Sequence, residues 1–574
     1  RNTGVGGGTL QNTTGNDNTA VGRDSLIQNT SGSQNTAVGK DALNVNTTGA
    51  SNVAVGALAL DANTTASQNT AVGYLSLSTN TTGNDNTAVG MDCMRLNTTG
   101  AQNTAVGQNT LEANTTANNN TAIGYEALKI NTTGAENTAV GAFALDAVTT
   151  GSNCTAVGYN ALTANTAVGS TAVGHQCLRA NTSGAGNVAM GAKALFSNTT
   201  GQYNIAIGAD SLQQNTTATN NVAVGHDALK ANTTGSNNVA IGLNALDTNT
   251  TASENVAIGR SAMQSNTAGS GQTAVGDQAL DQNTTGSNNV AVGNDALLLN
   301  TTGGLNTAVG SFALDANTTA DGNTAFGYNA GGSNTTGANV TAIGYGAGGP
   351  QTTSDNLTAV GALCLANAAT GSGNATTTAV GAEAGRYSTG ANKSVLIGYQ
   401  AGYRITGGDD HTFVGYQCGN AADGSNTTGQ SNQAFGAFAM QRVTSGFYNT
   451  AIGKSSMAGL TTGAYNVGCG SFTLGNGTVT GDRNVATGYT AMYQTTTGER
   501  NVAAGYQALY SNTTGRYNIG IGYNALVLST TAEKNVGVGY QALGSQTTGN
   551  ENTAVGDLAL NTSTTGFENV AVGS

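Results

Sequence analysis

The chain has 574 residues, of which 85 are Gly, one is Pro and none is Trp, with 8% charged, 5% aromatic and a formal net charge of −12. An apolar fraction made mostly of Ala and Val lacks the varied bulky side chains of globular cores, Gly without Pro is not collagen, and a chain poor in charge and Pro is not of the disordered type. With 18 Lys+Arg against 30 Asp+Glu there is no basic stripe for nucleic acid, and no run of about 18 apolar residues offers a membrane-spanning helix.

The sequence opens Arg1-Asn2-Thr3, without Met or a signal-peptide pattern, as expected of a piece of a longer polypeptide. From Gly6 to Gly573 a motif Asn-Thr-Ala-Val-Gly and its variants return 34 times. The early glycines, Gly22, Gly39, Gly56, Gly73, Gly90, Gly107, Gly124, Gly141 and Gly158, keep a constant step of 17. Departures include Gly158 to Gly174 (16), Gly361 to Gly381 (20), Gly415 to Gly436 (21) and Gly470 to Gly488 (18). Self-similarity at a fixed period marks a solenoid, in which each repeat packs only on its neighbours.

One unit reads Asn-Thr-Ala-Val-Gly-x-x-Ala-Leu-x-x-Asn-Thr-Thr-Gly-x-x. It is too short for a helical hairpin, and its Thr, Val and Gly disfavour helix. The sequence therefore predicts an all-β parallel β-solenoid (β-roll) of about 34 coils with a 17-residue repeat, running as a single solenoid over 1–574. In each coil a strand is expected through Asn-Thr-Ala-Val and a second near Ala-Leu, with a return turn at Asn-Thr-Thr-Gly. Pro350, the only proline, is expected in a turn, because every interior strand donates its N–H groups to a neighbour.

Two residues before the motif glycine stands Ala in 28 repeats, Gly in four (Gly4, Gly468, Gly520, Gly537), and otherwise only Leu396 and Phe413. That uniformity implies a closely crowded face. The other face of the strand carries Val or Ile and Thr or Val. With two apolar faces, association of three chains about a common axis is the economical arrangement. The turn asparagines Asn29, Asn46, Asn63, Asn80, Asn97, Asn114 and Asn131 recur once per coil, so their amides are predicted to form a structural ladder. They also head Asn-Thr-Thr or Asn-Thr-Ser sequons, although turn chemistry accounts for the same residues.

No catalytic, metal or cofactor set emerges. His175, His226 and His411 stand too far apart to converge on a metal. Cys93, Cys177, Cys364 and Cys418 occupy equivalent places at least three coils apart, beyond disulfide reach, and read as small buried hydrophobes. The acids Asp24, Asp41, Asp92, Glu126, Asp210, Asp227 and Asp295 follow the motif glycine by two and read as a solvated edge. Eleven of the 19 Tyr follow the motif glycine directly, four of them, Tyr489, Tyr506, Tyr523 and Tyr540, on successive coils. They form a candidate recognition strip for sugar or protein. The segment 328–490 holds three of the spacing departures together with Pro350, Leu396 and Phe413. Insertions there are expected as loops near 366–374 and 420–428, with Leu396 and Phe413 added to the candidate recognition surface.

The stretches Asn120 to Leu128 and Asn518 to Leu526, each with Gly-Tyr-x-Ala-Leu after the strand, resemble the head repeats of trimeric autotransporter adhesins. The Asn-Thr-Thr-Gly turns are similar to those of phage tail-fibre and related surface-fibre repeat proteins. The resemblance covers the whole chain, with a unit longer than the usual adhesin-head repeat. It implies a left-handed parallel β-roll assembled as a homotrimer, extracellular, on a virion fibre or cell surface, and bound to a cell-surface glycan or protein receptor. The expected function is a structural and adhesive fibre shaft and not an enzyme. The alternatives are a self-stacking filament subunit, an end-to-end homopolymer, and an ice-binding solenoid.

Overall fold

Thr and Val on either side of a small Ala favour extended backbone, and each repeat turns them into a three-residue strand. The computed structural model describes residues 1–367, 376–421, 424–475 and 477–574. Among the described residues there are 34 strands, from β1 (Thr3–Val5), β2 (Thr19–Val21), β3 (Thr36–Val38) and β4 (Val53–Val55) to β34 (Val570–Val572). The chain divides into two compact units, Arg1–Thr285 and Gly286–Ser574. The first ends on β17 (Thr273–Val275) and the second begins on β18 (Val290–Val292).

Within each unit, consecutive strands pair in parallel with equivalent residues opposite one another. In the first unit Thr36, Ala37 and Val38 face Val53, Ala54 and Val55; in the second, Thr307, Ala308 and Val309 face Thr324, Ala325 and Phe326. The opening pair, Thr3 with Thr19, is 16 residues apart, so the first coil is also one residue short. Coils of irregular length hold the same register: Thr358 faces Thr378, Thr412 faces Gln433 and Val467 faces Val485. Much of the expected inserted sequence, 368–375 and 422–423, lies outside the described residues.

The second strand expected near Ala-Leu does not form. The residues two and four after the motif glycine adopt left-handed backbone, as at Asp41 (φ 57°) and Leu43 (φ 50°). The Asp41 N–H donates back to Arg23 O of the preceding coil at 2.9 Å, and the Leu43 N–H donates forward to Ala59 O at 3.0 Å. Amides thus leave the segment in alternate directions and still find coil-to-coil partners. A pleated strand would send Ala42 and Leu43 to opposite faces; here both are fully buried. The motif glycine ends the true strand at a φ that side chains avoid. At Gly124 (φ 139°) an added Cβ would lie 2.5 Å from Gly141 O.

Each interior is narrow. The crowded Ala face points into the coil: Ala20, Ala37 and Ala54 are fully buried, together with Leu26, Leu43 and Leu60. The Thr and Val face points outward, and Val55, Val106 and Ile123 are exposed. Leu396 and Phe413 correct the expectation of a recognition surface, because both are fully buried. They sit in the Ala file, and the coil makes room by replacing the core Leu with glycine. A Cβ on Gly402 would lie 2.6 Å from Leu396 Cδ2, and one on Gly419 would collide with the Phe413 ring. Bulk has moved across the interior at roughly conserved volume.

That exchange is testable by thermal unfolding. Phe413→Ala alone leaves a cavity costing about 3–5 kcal/mol, and Gly419→Leu alone overpacks by about 1–3 kcal/mol. The double variant restores the ordinary Ala and Leu pair, and is expected to recover most of the loss; additive losses would contradict the exchange.

Candidate functional site

The seven turn asparagines form the predicted ladder. Each Nδ2 donates to Oδ1 of the Asn one coil back, from Asn46 onto Asn29 through to Asn131 onto Asn114, at 2.7–3.3 Å. The same amides donate within their own turns, as Asn97 Nδ2 does to Gly100 O at 2.9 Å. The ladder stops because Val148 stands at the next position and offers no amide, leaving Asn131 Oδ1 without a partner. All seven residues are fully buried, so a glycan on these sequons would require the ladder to open.

A second file precedes the strands. The Asn52 N–H donates to Asn35 Oδ1 at 2.9 Å, while Asn52 Nδ2 reaches Ala66 O at 2.9 Å. His411 takes a place in this file: it is fully buried, its N–H donates to Ser394 Oγ at 3.2 Å, and its ring stacks on Phe413 with centroids 4.9 Å apart. Neither ring nitrogen makes a hydrogen bond of ordinary geometry. Burial pushes its pKa down to about 4, against the opposing pull of the Asp409 and Asp410 carboxylates.

The equivalent cysteines behave as core. Burial pushes the thiols of Cys93, Cys177, Cys364 and Cys418 up to about 12, which removes the thiolate needed for reactivity. Cys469, in the Val file of β28 (Val467–Cys469), is instead exposed. The structure also joins one set that the sequence comparison of histidines alone passed over. Ligand atoms of Asp210, His226 and Asp227 lie within 4.8 Å of one another. Asp227 already contacts His226 Nδ1 at 2.8 Å and pairs with Lys230 Nζ at 3.0 Å, so the set reads as a surface polar cluster built on one ion pair. Pairing of residues two and five past the motif glycine recurs, in Lys129 with Glu126 at 2.9 Å and Arg386 with Glu383 at 2.7 Å.

The tyrosine strip does form. Ring centroids are 5.6 Å apart from Tyr489 to Tyr506, 5.0 Å from Tyr506 to Tyr523 and 5.2 Å from Tyr523 to Tyr540, with interplanar angles of 15°, 7° and 10°. All four rings are exposed. A second column, invisible in the one-file reading, runs beside it: Tyr493 and Tyr510 stack at 5.3 Å and 21°. Between the columns lies a cleft of about 350 Å³. A separate cleft of about 240 Å³ includes Tyr403, Arg404 and Gln417, within the irregular segment.

No family model matches the chain, and no curated protein matches it in sequence. The structure itself defines the class, an all-β parallel β-solenoid repeat protein, with 34 strands among the described residues. Among the described residues, no helix is long and apolar enough to cross a membrane.

Two substitutions probe the ladders. Asn97→Ala removes the bonds to Asn80 and Gly100 and the one accepted from Asn114. It is expected to cost about 3 kcal/mol locally, seen as amide exchange about a hundredfold faster in the flanking coils; Thr48→Ala, on the exposed side of the turn, should leave exchange unchanged. His411 gives a pH signature. Its folded pKa is depressed, so below about 6.5 the unfolded chain takes up a proton that the folded chain refuses until about 4. Stability at this locus is full above pH 6.5 and falls between 6.5 and 4, by on the order of 3 kcal/mol. His411→Asn should abolish that part of the pH dependence in exchange measurements on neighbouring coils at pH 7 and 4.5.

Proposed function

We propose that this protein is a structural and adhesive extracellular fibre shaft, of the phage tail-fibre or cell-surface adhesin kind, assembled as a homotrimer through its outward strand faces. One observation carries the reading: the Thr and Val face of the strands is both apolar and uncovered, with Val106 36% and Met190 47% exposed. Single exposed apolar residues are ordinary, but a contiguous file is the mark of an interaction surface. A strand about 10 Å long, repeated at about 4.8 Å over seventeen coils, offers about 800 Å² of flat face, the share one partner contributes to a standard interface.

The resemblance to adhesin heads and surface fibres agrees with this arrangement, and the core thiols of Cys93, Cys177, Cys364 and Cys418 are buried and proton-bound. The reading has no catalytic step, cofactor or nucleic-acid partner. An ice-binding role fits the same face less well, because Met190, Phe326 and Phe435 protrude from the Val file and break the regular array that ordered water requires.

Cys469 reports on this face. Native mass measurement is expected to give three times the mass of one chain, and a maleimide should modify Cys469 at least tenfold more slowly in that species than after dissociation. A monomer with freely labelled Cys469 would overturn the trimer.

A further inference from the structure

The corner following the motif glycine is where coils differ most in chemistry. In many coils it carries charge, in the pairs Glu126–Lys129, Asp227–Lys230 and Glu383–Arg386. From Ser471 to Gly544 the five positions after each motif glycine hold no charged residue. Lys454 precedes this neutral stretch and Asp557 follows it. Within it the acid position is taken by Phe472, Thr490, Gln507, Asn524 and Gln541, and the base position on two coils by Tyr493 and Tyr510. Aromatic rings and amides have replaced ion pairs over consecutive coils of the second unit.

The geometry of the rings leaves them usable. Parallel rings in contact are separated by about 3.5–4.0 Å, whereas these centroids stand 5.0–5.6 Å apart. The rings are therefore slipped like roof shingles, and part of each face stays open. Tyr489 and Tyr506 form one wall of the cleft, Tyr493 and Tyr510 the other, with Thr490 and Gln507 between them and Phe472 at one end. Phe472 meets Tyr489 edge-on at 79°, which closes that end of the stack. Asn524, one coil further, has a buried Oδ1 without a hydrogen-bond partner. At about 350 Å³ the cleft is in the size range of small-ligand sites.

We infer that this double tyrosine column is a binding site for a neutral saccharide chain lying along the stacking direction. A sugar ring has C–H faces that pack on aromatic rings and a rim of hydroxyls that needs donors and acceptors. The cleft offers both: partly open tyrosine faces in its walls, and the Gln507 amide and phenol hydroxyls around them, while the Thr490 O–H is already donated to Tyr489 O at 2.9 Å. It offers no counter-charge to a sulfate, phosphate or carboxylate. The repeat of one tyrosine per coil from Tyr489 to Tyr540 matches a polymer, since each added sugar meets another tyrosine one coil on, with Thr490, Gln507, Asn524 or Gln541 beside it. The inference rests on the adhesive half of the fibre reading, and its failure would leave the trimeric shaft untouched.

Saturation-transfer NMR on the full chain tests it, with two neutral probes, the hexamers of β-1,4-linked glucose and of β-1,4-linked N-acetylglucosamine, and one anionic probe, a heparin hexasaccharide. The expected result is transfer to ring C–H protons of at least one neutral hexamer and at least tenfold less to heparin. Tyr506→Ala with Tyr510→Ala should weaken binding at least tenfold, while the Phe pair at the same positions, which keeps the rings, and Tyr74→Ala in the first unit should retain it. Gln507→Ala should weaken binding several-fold, and supplies the same test if the double Ala variant fails to fold. Absence of binding by both neutral hexamers, equal binding of heparin, or binding that survives loss of the rings would overturn the inference.

Discussion

Apart from a few turn amides that bond within their own coil, such as Asn97 N–H to Met94 O, the peptide groups of a coil find their partners in the coil above or below, and this demand holds the chain to its period. A buried backbone N–H left unpaired costs about as much as a lost hydrogen bond, and parallel in-register pairing satisfies all of them only if successive coils trace the same path. Equal path means equal residues at equal places. Thr, Ala and Val face their counterparts, amide reaches amide, and glycine recurs where the strand ends because the next coil's glycine carbonyl occupies the space of a Cβ. The low-complexity composition follows from the hydrogen bonding.

The same demand makes the interior narrow, and the narrow interior limits its contents. Each ordinary coil buries one Leu with two Ala, as in Leu43 with Ala37 and Ala42, together with turn amides that bond to their own kind. A hydrophobic gain of about 1.5–3 kcal/mol per buried Leu is modest for seventeen residues, so the polar ladders have to be complete. Where one breaks, as at Val148, an acceptor is left over on Asn131. Where bulk enters one file, at Leu396 and Phe413, glycine answers in the other at Gly385, Gly402 and Gly419.

The period, the strand, the Asn ladder and the tyrosine stack were legible in the sequence because each is a property of one residue position repeated down the chain. What escaped depends on relations between positions within a coil. A second strand was expected near Ala-Leu; the left-handed backbone at Leu43 goes with the burial of two adjacent residues, which no file read alone reveals. Leu396 and Phe413 looked like surface features because they broke a file, and only pairing with Gly402 and Gly419 shows them as core. His226 was weighed against distant histidines and not against Asp210, one coil away. Tyr493 and Tyr510 belong to a file that is aromatic on few coils, and their significance comes from lying beside Tyr489 and Tyr506.

A ladder that fixes the inward positions leaves the corner after the motif glycine free to vary at little cost. Surface ion pairs there, such as Arg95 with Glu112 at 2.7 Å, contribute roughly 0–1 kcal/mol, so exchanging them for tyrosine or glutamine hardly disturbs the stack beneath. Chemistry can therefore change along a scaffold whose geometry does not. On this fold a binding surface is made by repetition: a weak contact at one corner recurs at the next coil in the same orientation, and a polymeric ligand adds these contacts without paying again for its first immobilisation. Neutral corners on consecutive coils, from Tyr489 to Tyr540, are spaced by the register of the strands beneath them, which is the spacing that the proposed polymeric ligand would meet.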